Sequence, residues 1–253
     1  MIQRLRQPGA IRIEFQPIVR VHEGRHELYA VEALTRGPRG TSMERPDVLF
    51  DYARRKGQES AIDLISIATA FAEAPSLTCA PLLSINIHGT TLTSIDRFTE
   101  WLLTSAASHG IAADRLMLEI IEHRAPWVIE TFRATLDELR DAGVRIAVDD
   151  LGVGASNYQM IVDCRPDHLK VDRHIVFGCS RDPWRRAVLE SIVTLARSCD
   201  ATPVAEGIED VDDLAVLLGL GINTVQGWLY APSMPAPELA ASPMFQAMKG
   251  RNP

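Results

Sequence analysis

Val144-Arg-Ile-Ala-Val-Asp-Asp-Leu-Gly-Val-Gly-Ala-Ser-Asn157 is the stretch on which the reading of the chain turns. Val144, Ile146 and Val148 make the short β-branched run of a buried strand. Asp149 and Asp150 follow at its carboxyl end, and Gly152 and Gly154 open a loop beyond them. Adjacent carboxylates repel one another and resist burial, and one or two divalent cations are the simplest thing that would stabilise them there. An Asp-rich turn capping the next helix would have the same local sequence. The other strand ends decide between the two.

Working outward, Ile11–Val19 and Glu27–Leu34 read as two strands joined by the turn at Glu23-Gly24. They are too close for a helix between them and so predict an antiparallel hairpin. Pro46–Lys56 and Glu59–Ala74 read as helices, Pro81–Ile87 as strand three and Thr93–His109 as a helix. Arg115–Ile120 is strand four, and Pro126–Ala142 a helix stopped by Gly143. After strand five come a short helix at Ser156–Asp163, strand six at His168–Asp172 and a helix at Pro183–Cys199 with proline in its first turn. Thr202–Glu206, Val211–Leu220 and Ile222–Gln226 complete the series as strand, helix and strand. Strand–helix alternation of this length predicts an α/β fold of the (β/α)-barrel type, with a doubly wound open sheet as its competitor.

At 253 residues and 46% hydrophobic, the chain can bury a large core as one domain or two small ones. A net charge of −7 argues against a nucleic-acid polymer or an anionic membrane as partner. It leaves room for a small anionic ligand, because bound cations reverse the local field. No apolar run reaches membrane-spanning length, and the amino terminus carries no signal peptide. The cysteines at 79, 164, 179 and 199 lack paired spacing and read as free thiols of a reducing cytoplasm.

In a barrel of this kind active sites sit at the carboxyl ends of the strands. Glu32, Asn86, Glu119, Asp149, Asp150, Lys170, Glu206 and Gln226 all fall there. One such residue could be a cap, but oxygen ligands converging from most strands suit a hard cation such as Mg²⁺ or Mn²⁺. Period-two geometry places Lys170 and Asp172 on one face of strand six, so Lys170 can point among the carboxylates. A structural ion pair there is the simpler alternative.

Glu32-Ala33-Leu34-Thr35-Arg36 resembles the Glu-Ala-Leu-x-Arg signature of the EAL domains, phosphodiesterases of cyclic di-GMP. The likeness runs in order through Phe15-Gln16-Pro17-Ile18-Val19, Ser84-Ile85-Asn86-Ile87 and Glu119-Ile120-Ile121-Glu122. It continues through Asp149-Asp150-x-Gly, Leu169-Lys170-Val171-Asp172, Ala205-Glu206-Gly207-Ile208-Glu209 and Gln226-Gly227-Trp228-Leu229-Tyr230. Each motif alone is weak, and the ordered set is specific.

The resemblance implies one EAL-type phosphodiesterase domain over residues 1–253, folded as a TIM-like (β/α)8 barrel with one antiparallel strand near the amino terminus. It implies that Glu32, Asn86, Glu119, Asp149, Asp150 and Glu206 hold two ions of Mg²⁺ or Mn²⁺. Lys170, Glu206 and Gln226 would place or activate the attacking water, and Gln16 and Arg36 would contact cyclic di-GMP. Glu122 would anchor the loop after Asp150, and Glu209 would sit behind the ligands. Two ions about 3.5–4 Å apart would activate a water that attacks phosphorus, giving linear pGpG. Lys170, among carboxylates, is as well suited to donating a hydrogen bond as to acting as a base. A homodimer, a cytoplasmic location and a sensor domain or partner outside this chain are implied as well.

The loop Leu151-Gly152-Val153-Gly154-Ala155-Ser156-Asn157 departs from the family's usual Phe-Gly-Thr-Gly-Tyr-Ser-Ser, a loop that links its dimer interface to the metal site. The alternative function is therefore a catalytically weak or silent member that serves as a cyclic di-GMP receptor or protein-interaction module. His88, where the family often has Ser, reads as a loop histidine without a metal role. Trp101, Trp127 and Trp184 read as packing residues, and Trp228 as lining either a base pocket or the core.

Overall fold

In the computed structural model, which describes residues 5, 7, 9–77, 80–121, 128–152 and 157–249, the strands close into a barrel in sequence order. β1 (Arg12–His22) and β2 (Arg25–Arg36) form the hairpin that the sequence predicts. Its turn residues Glu23 and Gly24 have φ of 50° and 73°, the left-handed values that match a two-residue turn to the twist of the strands. β3 (Leu82–His88), β4 (Leu116–Ile121), β5 (Arg145–Leu151), β6 (His168–Val171), β7 (Thr202–Ala205) and β8 (Thr224–Gln226) then add in parallel. β1 runs antiparallel to both β2 and β8 and joins them, which excludes the open sheet.

Side-chain alternation sorts the strands into two cores. Outward residues such as Val31, Leu83, Leu118, Val148 and Val171 meet the helices in the main core. Inward residues Ile18, Ala30, Leu82, Met117, Ala147 and Val204 pack together as an apolar layer inside the barrel. Two residues further toward the mouth, on that same face, stand Gln16, Glu32, Ser84, Glu119, Asp149 and Glu206. Burying a side chain such as Leu82 or Met117 contributes about 1.5–3 kcal/mol, so the apolar layer is a firm floor for the charged one.

The helices are α1 (Pro46–Arg55), α2 (Glu59–Glu73), α3 (Gly89–Ser94), α4 (Phe98–Ser108), α5 (Ile129–Asp141), α6 (Asn157–Cys164), α7 (Arg173–Val176), α8 (Pro183–Ser198) and α9 (Val211–Leu220). The helix expected at Thr93–His109 is instead two. α3 starts at the end of β3, because Thr90 and Thr91 donate to Glu59 and Asp63 of α2. Arg97, in the left-handed region at φ 53°, then breaks the chain before α4. His88 is no loop residue. It ends β3 at 1% exposure, with Nδ1 2.9 Å from Asp63 Oδ1.

Two further helices, α10 (Ala236–Ala241) and α11 (Pro243–Lys249), lie beyond the predicted elements and pack on β1 and β2. Trp184 is not a packing residue. At 81% exposure it sits in the first turn of α8, whose buried face is Leu189, Ile192, Val193 and Ala196. Trp101 does pack against the core, and Trp127 lies outside the described residues. Cys164 and Cys179 are buried free thiols and Cys199 an exposed one, while Cys79 lies outside the described residues. Among the described residues no helix is long and apolar enough to cross a membrane.

Candidate active site

Lys170 stands at the centre of the polar layer at 1% exposure. Its Nζ lies 2.5 Å from Glu206 Oε1, 3.2 Å from Asp149 Oδ1 and 3.3 Å from Glu32 Oε2, and it donates to Glu119 Oε2. Burial alone would push this ammonium down. Asp149, Glu119, Glu206 and Glu32 outweigh it and hold Lys170 charged, with its pKa well above the ordinary lysine range. Lys170 therefore reaches the site as a fixed donor.

The carboxylates around it are unequal. Burial also presses on Glu32, but Lys170 and hydrogen bonds from Gln226 Nε2 (2.7 Å) and Asn86 Nδ2 (2.7 Å) prevail and keep its pKa low. Glu119, fully buried, accepts from Ser84 Oγ and Lys170, yet burial and the nearby Glu32 charge drive its pKa well up. Burial likewise drives Glu206 well up, with Asp149 adding to it. Asp150, at the rim, is pushed up to about 6, by burial first and then by Asp149 and Asp172. One ammonium cannot neutralise this many acids.

Consecutive strand residues ordinarily face opposite ways, so Asp149 and Asp150 could not both serve one site on a regular β5. The structure resolves this with a break in the β5–β6 register between Val148 and Leu151, where Asp150 takes φ 55°. Such bulges re-aim side chains, and Asp tolerates the left-handed region better than most residues. Asp149, Asp150 and Glu206 thereby bring one oxygen each within 4.8 Å of one another. Asp149 Oδ1 is buried without an aligned hydrogen bond, as is Gln226 Oε1. Crowded oxygens, the raised pKa values of Asp150 and Glu206 and a buried oxygen without an aligned hydrogen bond together fit a hard divalent cation.

The cavity above this cluster encloses about 330 Å³. Gln16, Glu32, Asp149, Lys170, Glu206 and Gln226 line it, and Arg173, Glu209 and Trp228 form the rest of its polar and aromatic wall. Gln16 donates to Ala231 O (2.9 Å) and accepts from Gln226 (3.3 Å). Trp228 is 67% exposed and faces this cavity, which excludes the core alternative for it. Glu209 belongs to the wall too, paired with Arg173 at 2.8 Å.

Arg36 is placed differently. At the mouth end of β2 its Nε donates to Glu14 (2.9 Å), its Nη2 to Ser233 (2.9 Å) and its Nη1 to Thr35 O (3.1 Å), outside the cavity lining. Asp172 caps α7 by accepting from the His174 backbone N–H at 2.7 Å. Glu122 lies outside the described residues, as does most of the loop after Asp150. The sequence reading missed Ser84 and Arg173. Ser84 was open to discovery, being two residues from Asn86 on one strand face, whereas nothing local marks Arg173.

The family model described as EAL domain matches residues 1–233, a span that includes every strand of the barrel. A probable cyclic di-GMP phosphodiesterase of Escherichia coli, PdeI, is 30% identical over 247 residues, covering 92% of this chain and 30% of its own length. The cyclic di-GMP phosphodiesterase PdeL of the same species is 32% identical over 121 residues, 48% of this chain and 33% of its own. Klebsiella pneumoniae BlrP1, solved as a manganese and cyclic di-GMP complex, superposes with a TM-score of 0.77 at 29% identity, over 90% of this chain and 57% of that one. The chain thus spans about a third of the length of these curated relatives. With the ordered motifs on successive strand ends of one closed barrel, and the family model spanning them all, this chain belongs to the EAL domain family.

Proposed function

We propose that the chain hydrolyses cyclic di-GMP to linear pGpG, using divalent cations held at the mouth of the barrel. The observation that carries this is the convergence of Asp149, Asp150 and Glu206 beside a buried lysine ringed by carboxylates. Names of relatives point the same way, PdeI and PdeL as phosphodiesterases and BlrP1 as a cyclic di-GMP complex. Asp149, Asp150 and Glu206 would hold Mg²⁺ or Mn²⁺, with Glu32, Asn86 and Glu119 completing a site for two ions. When bound, such ions lower the pKa of water and offset charge on the reacting phosphate.

The chain's own groups then divide the remaining work. Water adds to phosphorus, the bond from phosphorus to the 3′ oxygen breaks, and that oxygen leaves with a proton. Lys170, held protonated, donates a hydrogen bond to the incoming or departing oxygen and does not take up the water's proton. Glu206, a carboxylate 2.5 Å from Lys170 Nζ at the edge of the cavity, is placed to accept the water's proton. Gln226, anchored to Glu32 and Gln16, offers its unpaired Oε1 to orient the water. Gln16 would position the sugar-phosphate ring, and Arg36 would contact the phosphate under attack only after releasing Glu14 and Ser233. The whole of residues 1–253 acts as one cytoplasmic domain, working as a homodimer under a sensor domain or partner outside this chain.

Chromatography of a cyclic di-GMP incubation tests this. Mg²⁺ or Mn²⁺ should give pGpG and a chelator should stop it. Tight binding of the dinucleotide with no product under any cation would establish the receptor alternative instead.

A further inference from the structure

Resting on the cyclic di-GMP reading above, we infer that Arg173 is a substrate-binding residue that takes the phosphodiester not being cleaved. Cyclic di-GMP carries two phosphodiesters, and the acidic cluster can serve one at a time. The other must be met by the rest of the cavity wall, where Glu209 is an acid outside the cation ligands and a cation is needed to receive an anion. Among the described residues of that wall the cations are Lys170 and Arg173. Lys170 is 1% exposed and surrounded by carboxylates, so it has no reach toward a second phosphate. The Arg173 side chain is 52% exposed.

Arg173 is also built into place. Its aliphatic stem crosses Gly207 so closely that a Cβ there would meet Arg173 Cγ at 2.4 Å and Cβ at 2.6 Å. The guanidinium lies 5.0 Å from the Phe177 ring, and its Nη2 donates to Glu209 Oε1 at 2.8 Å. That bond uses one of five N–H donors, and the planar fork suits two phosphate oxygens. Arg36, by contrast, has Nε, Nη1 and Nη2 all engaged away from the cavity. Glu209 and Phe177 orient the group that the substrate meets.

The test is equilibrium binding of cyclic di-GMP, with Ca²⁺ replacing Mg²⁺ or Mn²⁺ and chromatography confirming an intact ligand, followed by steady-state kinetics with Mn²⁺. Arg173→Ala should raise both Kd and KM by about 10- to 100-fold, the worth of a charge-assisted bidentate contact, and change kcat by less than about 3-fold. Arg173→Lys should recover part of the loss, and added salt should weaken the wild type more than the alanine variant. Arg173→Gln keeps the stem over Gly207 and a donor for Glu209, so it should fold normally and still show the raised Kd. A glutamine variant that binds as the wild type does overturns the inference and leaves the proposed function standing. So does a fall in kcat at unchanged KM, the mark of a structural role through Glu209. A wild type that neither binds nor cleaves the dinucleotide overturns both.

Discussion

Lys170 carries a burden out of proportion to one side chain. It is the counterion for Glu32, Glu119, Asp149 and Glu206 in a largely buried layer at the base of the cavity. Removing one partner of a buried ionic cluster leaves charge that nothing nearby compensates, which costs about 3–5 kcal/mol. Lys170→Met should therefore lower the unfolding free energy read from urea denaturation at neutral pH by that amount. The loss should shrink on acidification, as Glu119 and Glu206 protonate; an unchanged midpoint would show the carboxylates to be neutral already. Ser84→Ala strips a donor from fully buried Glu119 and should cost about 1–3 kcal/mol. His168 sits below this layer at 3% exposure, with Nε2 2.5 Å from Tyr29 Oη, and burial pushes its pKa down to about 4. The unfolded chain binds a proton near pH 6.5 and the folded one does not, so stability is full above that pH. It falls as pH drops from about 6.5 toward 4, by roughly 3 kcal/mol at most. Urea midpoints across that window should show the slope, and His168→Gln should flatten it.

At the scale of elements, the strands were legible because alternation marks the opening hairpin and short apolar runs mark the parallel strands, and the polar residues at the strand ends are the ones that meet. What the sequence hid were departures from regular geometry. The bulge that lets Asp149 and Asp150 share a site has no compositional mark, since Asp-Asp-Leu-Gly reads equally as a capping turn. The break at Arg97 was hidden because neither glycine nor proline marks it between Thr93 and His109. Close approach of backbones is equally silent until seen. A Cβ on Gly227 would lie 2.1 Å from Ile208 O and 2.3 Å from Ile208 N, while Ile208 N–H donates to Gln226 O at 3.0 Å. Gly227→Ala should therefore force the β7 and β8 loops apart and cost more than about 3 kcal/mol, among the larger single-residue effects. Circular dichroism melts would register it, and a melt within a degree of the wild type would mean that the loops yield freely.

For the molecule as a whole, the barrel was legible because its motifs come in a fixed order, one to a strand end, and closure through antiparallel β1 follows from a turn too short to hold a helix. The candidate site was legible where its residues lie on strands, at Glu32, Asn86, Glu119, Lys170 and Gln226. It was not legible at Arg173, the first residue of α7, because that side chain is placed by tertiary contacts with Gly207 and Phe177. Helices α10 and α11 escaped for a related reason, being short segments that gain helicity from packing on β1 and β2. The net charge of −7 now has a location, since several of the acids are gathered at the barrel mouth around one lysine. The central claim is that this gathering is a cation-dependent hydrolytic site. Its most direct test is the Mn²⁺-dependent turnover of cyclic di-GMP by Asp149→Asn beside the wild type, with folding checked by melting temperature. The expected result is a folded variant whose turnover to pGpG falls by about 100-fold or more, the scale of losing one preorganised electrostatic group. A folded variant that turns over as fast as the wild type would contradict the account.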